Sequence, residues 1–497
     1  MTDTASLDPA AQRFLASTVF LHIDGRDVAA TDGATFTSVD PSNGQVLATV
    51  MEAGHADVDD AVASARRALD DSTWRDISPR DRAALLFRLA ELLEENAEEL
   101  AQLESLDSGK PLANARKTDI PQSADHIRYF AGWATKIEGA TIPTSQGNHF
   151  VYTRREPVGV CALIVPWNYP LLMASWKVAP ALACGNTIIL KPAEQPPLTA
   201  ARFGQLATEA GFPPGVFNVL QGRGEVTGKA LVAHSGIDKV AFTGSTAVGK
   251  EIMAVAAKSL TRVSLELGGK SPNLIFADAD LDSAIGGAGW GIFYNMGEDC
   301  CAGSRIFVER PIYNAVVEGL AKMAAAIPVG PGFNLTSKIG PLISYEQRLR
   351  VDGYVRGSVE DGGTIVTGGR EPGGDLASGY YYEPTVITGV SNVTRIAQEE
   401  VFGPVVVVIP FDTEAEAVAL ANDTPYGLAS GVWTNSLSRA HRVAAGIHAG
   451  MVYVNDYGPS DAAAPFGGFG ASGFGREHGR AAIDLYTEEK AVWVNLG

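Results

Sequence analysis

The sequence predicts an α/β fold built on parallel sheets, and three observations carry that prediction. Continuous apolar runs of strand length recur from residue 159 onward, helical stretches lie between them, and a second alternation of the same kind begins near Asn273. A chain of 497 residues has room for two or three domains with a sizeable apolar core. With 46% hydrophobic and 19% charged residues, its composition is that of a globular protein and not of a disordered one.

Taken in order, the first strong element is a helix over 81–106, where Leu85, Leu86, Leu89, Leu92, Leu93, Leu100 and Leu103 recur at helical spacing. Ser108-Gly109-Lys110-Pro111 stops it, and its acidic face reads as solvated. Val160-Cys161-Ala162-Leu163-Ile164-Val165 then runs into Pro166, as a fully buried strand does. Similar strands follow at Thr187-Ile188-Ile189-Leu190, Val216-Phe217-Asn218-Val219-Leu220 and Lys239-Val240-Ala241-Phe242, with helices around 176–183, 199–210, 225–233 and 248–257. The second alternation holds strands at Asn273-Leu274-Ile275-Phe276 and Arg305-Ile306-Phe307-Val308-Glu309 and a helix over 313–327. Parallel sheets bind ligands beyond the C-terminal ends of their strands, so the turns there are the places to look for chemistry.

Charge and cysteine usage exclude several classes. A net charge of −18 offers no electrostatic footprint for nucleic acid or an anionic membrane. Met1-Thr2-Asp3-Thr4 lacks the basic start and apolar run of a signal peptide, and Val405-Val406-Val407-Val408-Ile409 is too short to span a bilayer. The expectation is a cytoplasmic protein with no membrane or nucleic-acid partner. Cys161, Cys184, Cys300 and Cys301 are too few for a disulfide framework in so long a chain, which leaves the question of whether one is reactive.

Phe242-Thr243-Gly244-Ser245-Thr246-Ala247-Val248-Gly249-Lys250 follows a strand and opens a helix, where backbone N–H groups and a positive dipole end can receive a phosphate. It is nearly a nucleoside-triphosphate loop, but Glu251 stands where the magnesium-binding hydroxyl belongs. Three further segments supply a mechanism. Gly297-Glu298-Asp299-Cys300-Cys301 carries thiols, Leu265-Glu266-Leu267-Gly268-Gly269-Lys270 a carboxylate, and Pro166-Trp167-Asn168 an amide donor. A thiolate, a base and an oxyanion donor are what acyl transfer requires.

These segments resemble the aldehyde dehydrogenase superfamily, whose signatures are Glu-Leu-Gly-Gly-Lys and, downstream, Gly-Gln-x-Cys. Glu266 and Cys300 stand 34 residues apart (300 − 266), the family's own spacing. The resemblance extends along most of the chain, through Asp107-Ser108-Gly109-Lys110-Pro111, Pro166-Trp167-Asn168-Tyr169-Pro170, Lys191-Pro192-Ala193-Glu194, Glu400-Val401-Phe402-Gly403-Pro404, Pro465-Phe466-Gly467-Gly468 and Ser472-Gly473-Phe474-Gly475-Arg476-Glu477.

The resemblance implies NAD-dependent oxidation of an aldehyde to the acid through a cysteine hemithioacetal and thioester, with water as second substrate and no metal. Cys300 would be the nucleophile and Glu266 the base. Asn168 and the Cys300 N–H would form the oxyanion hole, with Lys177 and Glu477 as a proton exit. Lys191 and Glu194 would hold the adenosine ribose. Gly244 and Ser245 would face the pyrophosphate, with Trp167, Gly224 and Gly228 nearby. Glu400 and Phe402 would position the nicotinamide, and Val165, Pro166, Asn168, Phe242, Val248, Leu267 and Gly268 would complete the cofactor site. Glu194 favours NAD, because a carboxylate on the ribose repels the extra phosphate of NADP.

The implied architecture is a Rossmann-like cofactor domain (1–135 and 159–265), a second α/β catalytic domain (266–465) and a small β oligomerisation arm (136–158 and 478–497) giving a homotetramer or homodimer. Tyr169, Trp176, Trp290 and Cys301 are candidates for the substrate wall. Aromatic rings there suit a quaternary ammonium or an aryl aldehyde; ordinary core packing is the alternative.

The sequence also departs from the family. Glu298 replaces the usual Gln and Asp299 directly precedes the thiol, so both charges should raise the Cys300 pKa. Gly470 stands where many relatives have Lys. A silent binding protein on this fold would lack the thiol, base or amide, and a thiol hydrolase would want a paired His.

Overall fold

The computed structural model describes residues 7–497. In its first sheet five strands run parallel, side by side in the order Phe217–Val219, Thr187–Lys191, Val160–Ile164, Lys239–Thr243 and Arg262–Glu266. Leu21–Ile23, itself paired on its outer side with Arg26–Val28, and Gly473–Phe474 flank the five antiparallel. Every residue of Val160–Ile164, Thr187–Lys191 and Lys239–Thr243 is buried, which is why these strands read as unbroken apolar runs. The chain moves outward from Val160–Ile164 on one side and returns to Lys239–Thr243 on the other. That reversal opens a crevice between the turns that follow the two strands.

The second sheet places Thr385–Thr388, Val405–Phe411, Arg305–Glu309, Pro272–Ile275, Ala429–Trp433 and Met451–Val454 parallel, with Thr364–Thr367 antiparallel at one edge. A separate antiparallel sheet joins Thr487–Asn495 to His149–Pro157 over nine residue pairs, with Thr141–Ile142 on the far side. No described helix is long and apolar enough to cross a membrane.

The long helix expected over 81–106 is two helices, Pro79–Glu95 and Ala97–Ser108, broken at Asn96. There the Asn96 amide donates to the Leu92 carbonyl at 2.8 Å and ends the first helix, a local bond that competes with continuation. The expected solvated acidic face fails in the second helix, which is buried nearly throughout. Glu104 accepts from Leu171 N at 3.4 Å and Asp107 from Leu198 N at 2.9 Å. These are first-turn N–H groups of Pro170–Ala183 and Leu198–Glu209, two helices with no side-chain cap of their own. Carboxylates from a distant helix therefore do the capping. Gly109, left-handed at φ 78°, ends the helix as its sequence suggests; a side chain there would meet Pro341.

Candidate active site

The thiol sits on a loop that leaves the helix Leu281–Phe293 through Asn295 (φ 48°), Met296 (φ 60°) and Gly297 (φ 68°). Three successive left-handed residues are costly, and they persist only where neighbours hold them. A Cβ at Gly297 would lie 2.2 Å from the Gly403 carbonyl, so glycine is required. The Asn295 amide donates to the backbone carbonyls of Asn168 and Glu298, each at 3.1 Å, and ties the loop to the strand-end turn at Asn168. Tyr457 donates to the Cys301 carbonyl at 2.6 Å.

Cys300 lies where two cavities meet. One, of about 180 Å3, follows the crevice of the first sheet and is lined by Pro166, Trp167, Asn168, Gly244, Ser245, Leu267, Gly268, Glu400 and Phe402. The other, of about 380 Å3, is walled by Tyr169, Trp176, Trp290, Tyr294, Tyr453, Tyr457 and Phe466 together with Asp299 and Cys301. Cys300 and Met173 line both. The Asn168 side-chain amide is buried and donates to the Glu298 carbonyl at 2.9 Å, which uses one of its two hydrogens.

Glu266 ends the strand Arg262–Glu266 and lines neither cavity, with no hydrogen-bond partner for either carboxyl oxygen among the described residues. Burial pushes its pKa well above the carboxylate range; Glu477 adds to the rise, while Lys177 and Arg476 oppose it. Lys177 and Glu477 form a buried ion pair at 2.5 Å. At Cys300 the neighbouring Cys301 thiol, 3.9 Å away, favours the thiolate, but burial with the charges of Asp299, Glu400 and Glu266 outweighs it and the pKa is raised.

Asp299 thus acts as the sequence suggested, whereas Glu298 does not. The Glu298 side chain turns away and accepts from Ile343 N at 3.1 Å, and burial drives it toward the neutral acid. Glu298 Oε1 accepts the hydrogen bond that a Gln oxygen would accept there, and Glu298 is not among the charges that push up the thiol.

On the glycine-lined side, the Phe242 ring lies beneath Gly244, and a Cβ on Gly244 would come within 2.4 Å of it. Ser245 caps the helix Thr246–Ala256, accepting from Val248 N at 3.3 Å; Val248 itself is exposed. The Glu400 carboxyl accepts from Gly269 N at 2.8 Å, lies where a Gly268 side chain would project, and is pushed up to about 7 by burial. Phe402 is left-handed at φ 60°, its ring edge-on to Trp167 with centroids 5.0 Å apart.

Lys191 is buried, donates to the Pro192 carbonyl at 2.8 Å and lies 3.9 Å from Glu194; burial lowers its pKa to about 8. Glu194 opens onto a further cavity of about 600 Å3 with Arg223 and Tyr345. Gly224–Gly228 forms one π-turn, with Gly228 against the Lys191 stem. Val165, Lys191, Gly224, Gly228, Phe242 and Val248 line neither of the two cavities at Cys300.

Sequence reasoning missed Gln347 and Arg350 in the smaller cavity and Tyr294, Tyr453, Tyr457 and Phe466 in the larger. Tyr457 lies just past the strand Met451–Val454, and that strand-end position was the available signal. Trp176 packs edge-on against Phe466 at 4.8 Å, and Trp290 stands at the exposed rim beside Tyr294.

Known proteins share this sequence family and fold. The model of the aldehyde dehydrogenase family matches residues 28–492, and the chain belongs to that family. An aldehyde dehydrogenase of Emericella nidulans is 48% identical over 478 residues, covering 96% of this chain and 95% of its own. The NAD+ complex of an aldehyde dehydrogenase from Bacillus cereus superposes with a TM-score of 0.97 at 48% identity, covering 99% of both chains. An indole-3-acetaldehyde dehydrogenase of P. syringae, in complex with NAD+ and IAA, gives 0.95 at 45% identity over 98% of each chain.

Proposed function

We propose that Cys300 is the nucleophile by which this NAD-dependent aldehyde dehydrogenase turns an aldehyde into a carboxylic acid, with water as second substrate. The observation that carries the reading is the place of Cys300 at the junction of an aromatic cavity and a glycine-lined one.

The glycine-lined side fits a dinucleotide, because Gly244 and Ser245 open the helix Thr246–Ala256 onto it and the missing side chains at Gly244 and Gly268 leave room for Phe242 and Glu400 to pack against the backbone there. Lys191 and Glu194 would hold the adenosine ribose, Gly244 and Ser245 the pyrophosphate at a helix N-terminus, and Glu400 and Phe402 the nicotinamide end. Val165, Phe242 and Val248 would support that turn, and Gly224 and Gly228 the neighbouring one. When bound, NAD supplies the acceptor for the hydride leaving the substrate carbon. Glu194 favours NAD over NADP by repelling an added phosphate.

Cys300 Sγ adds to the carbonyl carbon to give a hemithioacetal. Its oxyanion is met by the unspent Asn168 amide hydrogen and the Cys300 backbone N–H. After oxidation the acyl group stands as a thioester on Sγ. Glu266 takes a proton from water, the water oxygen adds to the acyl carbon, and the C–S bond breaks to return the thiolate. Lys177 and Glu477 carry the proton on from Glu266.

The rings of Tyr169, Trp176 and Trp290 support an aryl aldehyde by stacking, with Lys117 and Asp299 bringing opposite charges to the same wall. We assign 1–135 with 159–265 to NAD, 266–465 to the thiol, and 136–158 with 478–497 to an arm that makes a homodimer or homotetramer. The acidic chain with four free thiols suits the reducing cytoplasm.

The test is NADH formation with phenylacetaldehyde, betaine aldehyde and a straight-chain aldehyde, repeated with NADP and in heavy-oxygen water. A label from water in the acid and a preference for NAD and phenylacetaldehyde are expected. An unlabelled acid removes the hydrolytic step, and preference for betaine aldehyde removes the aryl assignment.

A further inference from the structure

Asp299 sits between the nucleophile and the aromatic wall with both carboxylate oxygens engaged. Oδ1 accepts from the Cys301 backbone N–H at 2.7 Å and Oδ2 from the Tyr169 hydroxyl at 2.7 Å. The first contact is an Asx-turn, a side-chain oxygen bonded to the N–H two residues on, and it places Cys300 at the apex of the closed ring. Among the described residues no acceptor engages the Cys300 N–H. The turn consumes the amide after the nucleophile and leaves the nucleophile's own amide unspent.

The Tyr169 clamp is itself fixed from below. Lys110 Nζ lies 4.1 Å from the Tyr169 ring centroid, pairs with Asp119 and stands 3.9 Å from Glu104; all three ionic groups are buried. Such a cation holds the ring in one place. The arrangement also costs reactivity, since an Asp299 oxygen and the sulfurs of Cys300 and Cys301 lie within 4.8 Å of one another. A carboxylate so near opposes the thiolate. A residue of this charge has to offer something geometric in return.

We propose that Asp299, clamped by Tyr169, is a positioning residue that holds the Cys300 backbone N–H free for the oxyanion. The inference rests on the reading of Cys300 as nucleophile. It separates the geometric role of the side chain from its charge, because Asn can close the same turn without a charge and Ala can do neither.

The experiment compares Asp299→Asn with Asp299→Ala in the full-length protein. Three readouts are taken: kcat, KM for the aldehyde, and the pH dependence of Cys300 alkylation by iodoacetamide without substrate or cofactor. Asp299→Asn should keep kcat within about threefold once the thiol is ionised, and its alkylation midpoint should move to lower pH. Asp299→Ala should lose roughly 100-fold in kcat with KM little changed, the signature of a misplaced oxyanion donor. Tyr169→Phe should lower kcat several-fold alone and add nothing in the Asp299→Ala background.

Equal losses in the Asn and Ala variants, or a full additional loss from Tyr169→Phe in the double variant, overturn the proposal. Should Asp299→Ala fail to fold, Tyr169→Phe alone decides: an unchanged kcat overturns it. Failure of the nucleophile reading would look different, as turnover surviving Cys300→Ser.

Discussion

Cys300 and Cys301 are neighbours whose sulfurs lie 3.9 Å apart, yet only one of them lines both cavities. Cys301 is buried, its pKa driven well above the thiol range by its bond to Cys300 and by desolvation. Cys301→Ser should therefore retain NADH formation to within a few-fold, whereas Cys300→Ser should abolish it; comparison of steady-state rates at matched pH checks both. Glu266 sets the pH dependence of the second stage. Its pKa is raised, so the base is protonated until the pH climbs past the ordinary carboxylate range, and hydrolysis of the acyl enzyme should speed up as pH rises. With Glu266→Gln, a rapid first turnover of NADH should persist while the steady-state rate falls by about 100-fold. A proportional loss of the first turnover would place Glu266 in the addition step instead.

The elements differ in how openly the sequence declared them, and the physics explains which. Strands of the first sheet are covered on both faces, so Val160–Ile164, Thr187–Lys191 and Lys239–Thr243 were visible as apolar runs within a residue of their ends. The motif residues at strand ends were equally visible, because turn geometry is written locally in Pro166, Gly244 and Gly268. What stayed hidden depends on partners far along the chain. Leucine spacing passes straight through Asn96, and the burial of Glu104 and Asp107 follows from N–H groups at Leu171 and Leu198 that no local pattern contains. Likewise the left-handed run is held by distant partners, the Asn168 carbonyl at Asn295 and the Gly403 carbonyl against Gly297, and Met296 between them has no preference for that conformation. The distant cap can be measured. Asp107→Ala removes the acceptor for Leu198 N and the partner of Ser38, and should cost about 1–2 kcal/mol of unfolding free energy, read as a lower denaturant midpoint. A midpoint that does not move would mean that water restores the cap.

At the scale of the whole molecule, the arm presents a surface that a lone chain handles poorly. The strand Thr487–Asn495 pairs with His149–Pro157 along one edge, and among the described residues no strand pairs with its other edge. Open edges of this length invite pairing with another chain. The same arm exposes Phe150 and Val494 as a cross-strand pair on one face of the ladder and Trp493 on the other, with Leu496 just beyond its end. A second copy of the chain would cover both the edge and the rings, and a net charge of −18 on each copy then requires that the contact be apolar enough to outweigh repulsion. Sedimentation of the intact protein should show a dimer or tetramer, with the larger species favoured as salt screens the charge. Trp493→Asp places a carboxylate among the exposed apolar side chains of the arm and should shift the distribution toward the monomer at equal concentration. The far-UV spectrum should stay unchanged, because the substitution lies outside both parallel sheets. An assembly untouched by Trp493→Asp, or a native protein that sediments as a monomer at micromolar concentration, would remove the arm as the contact surface.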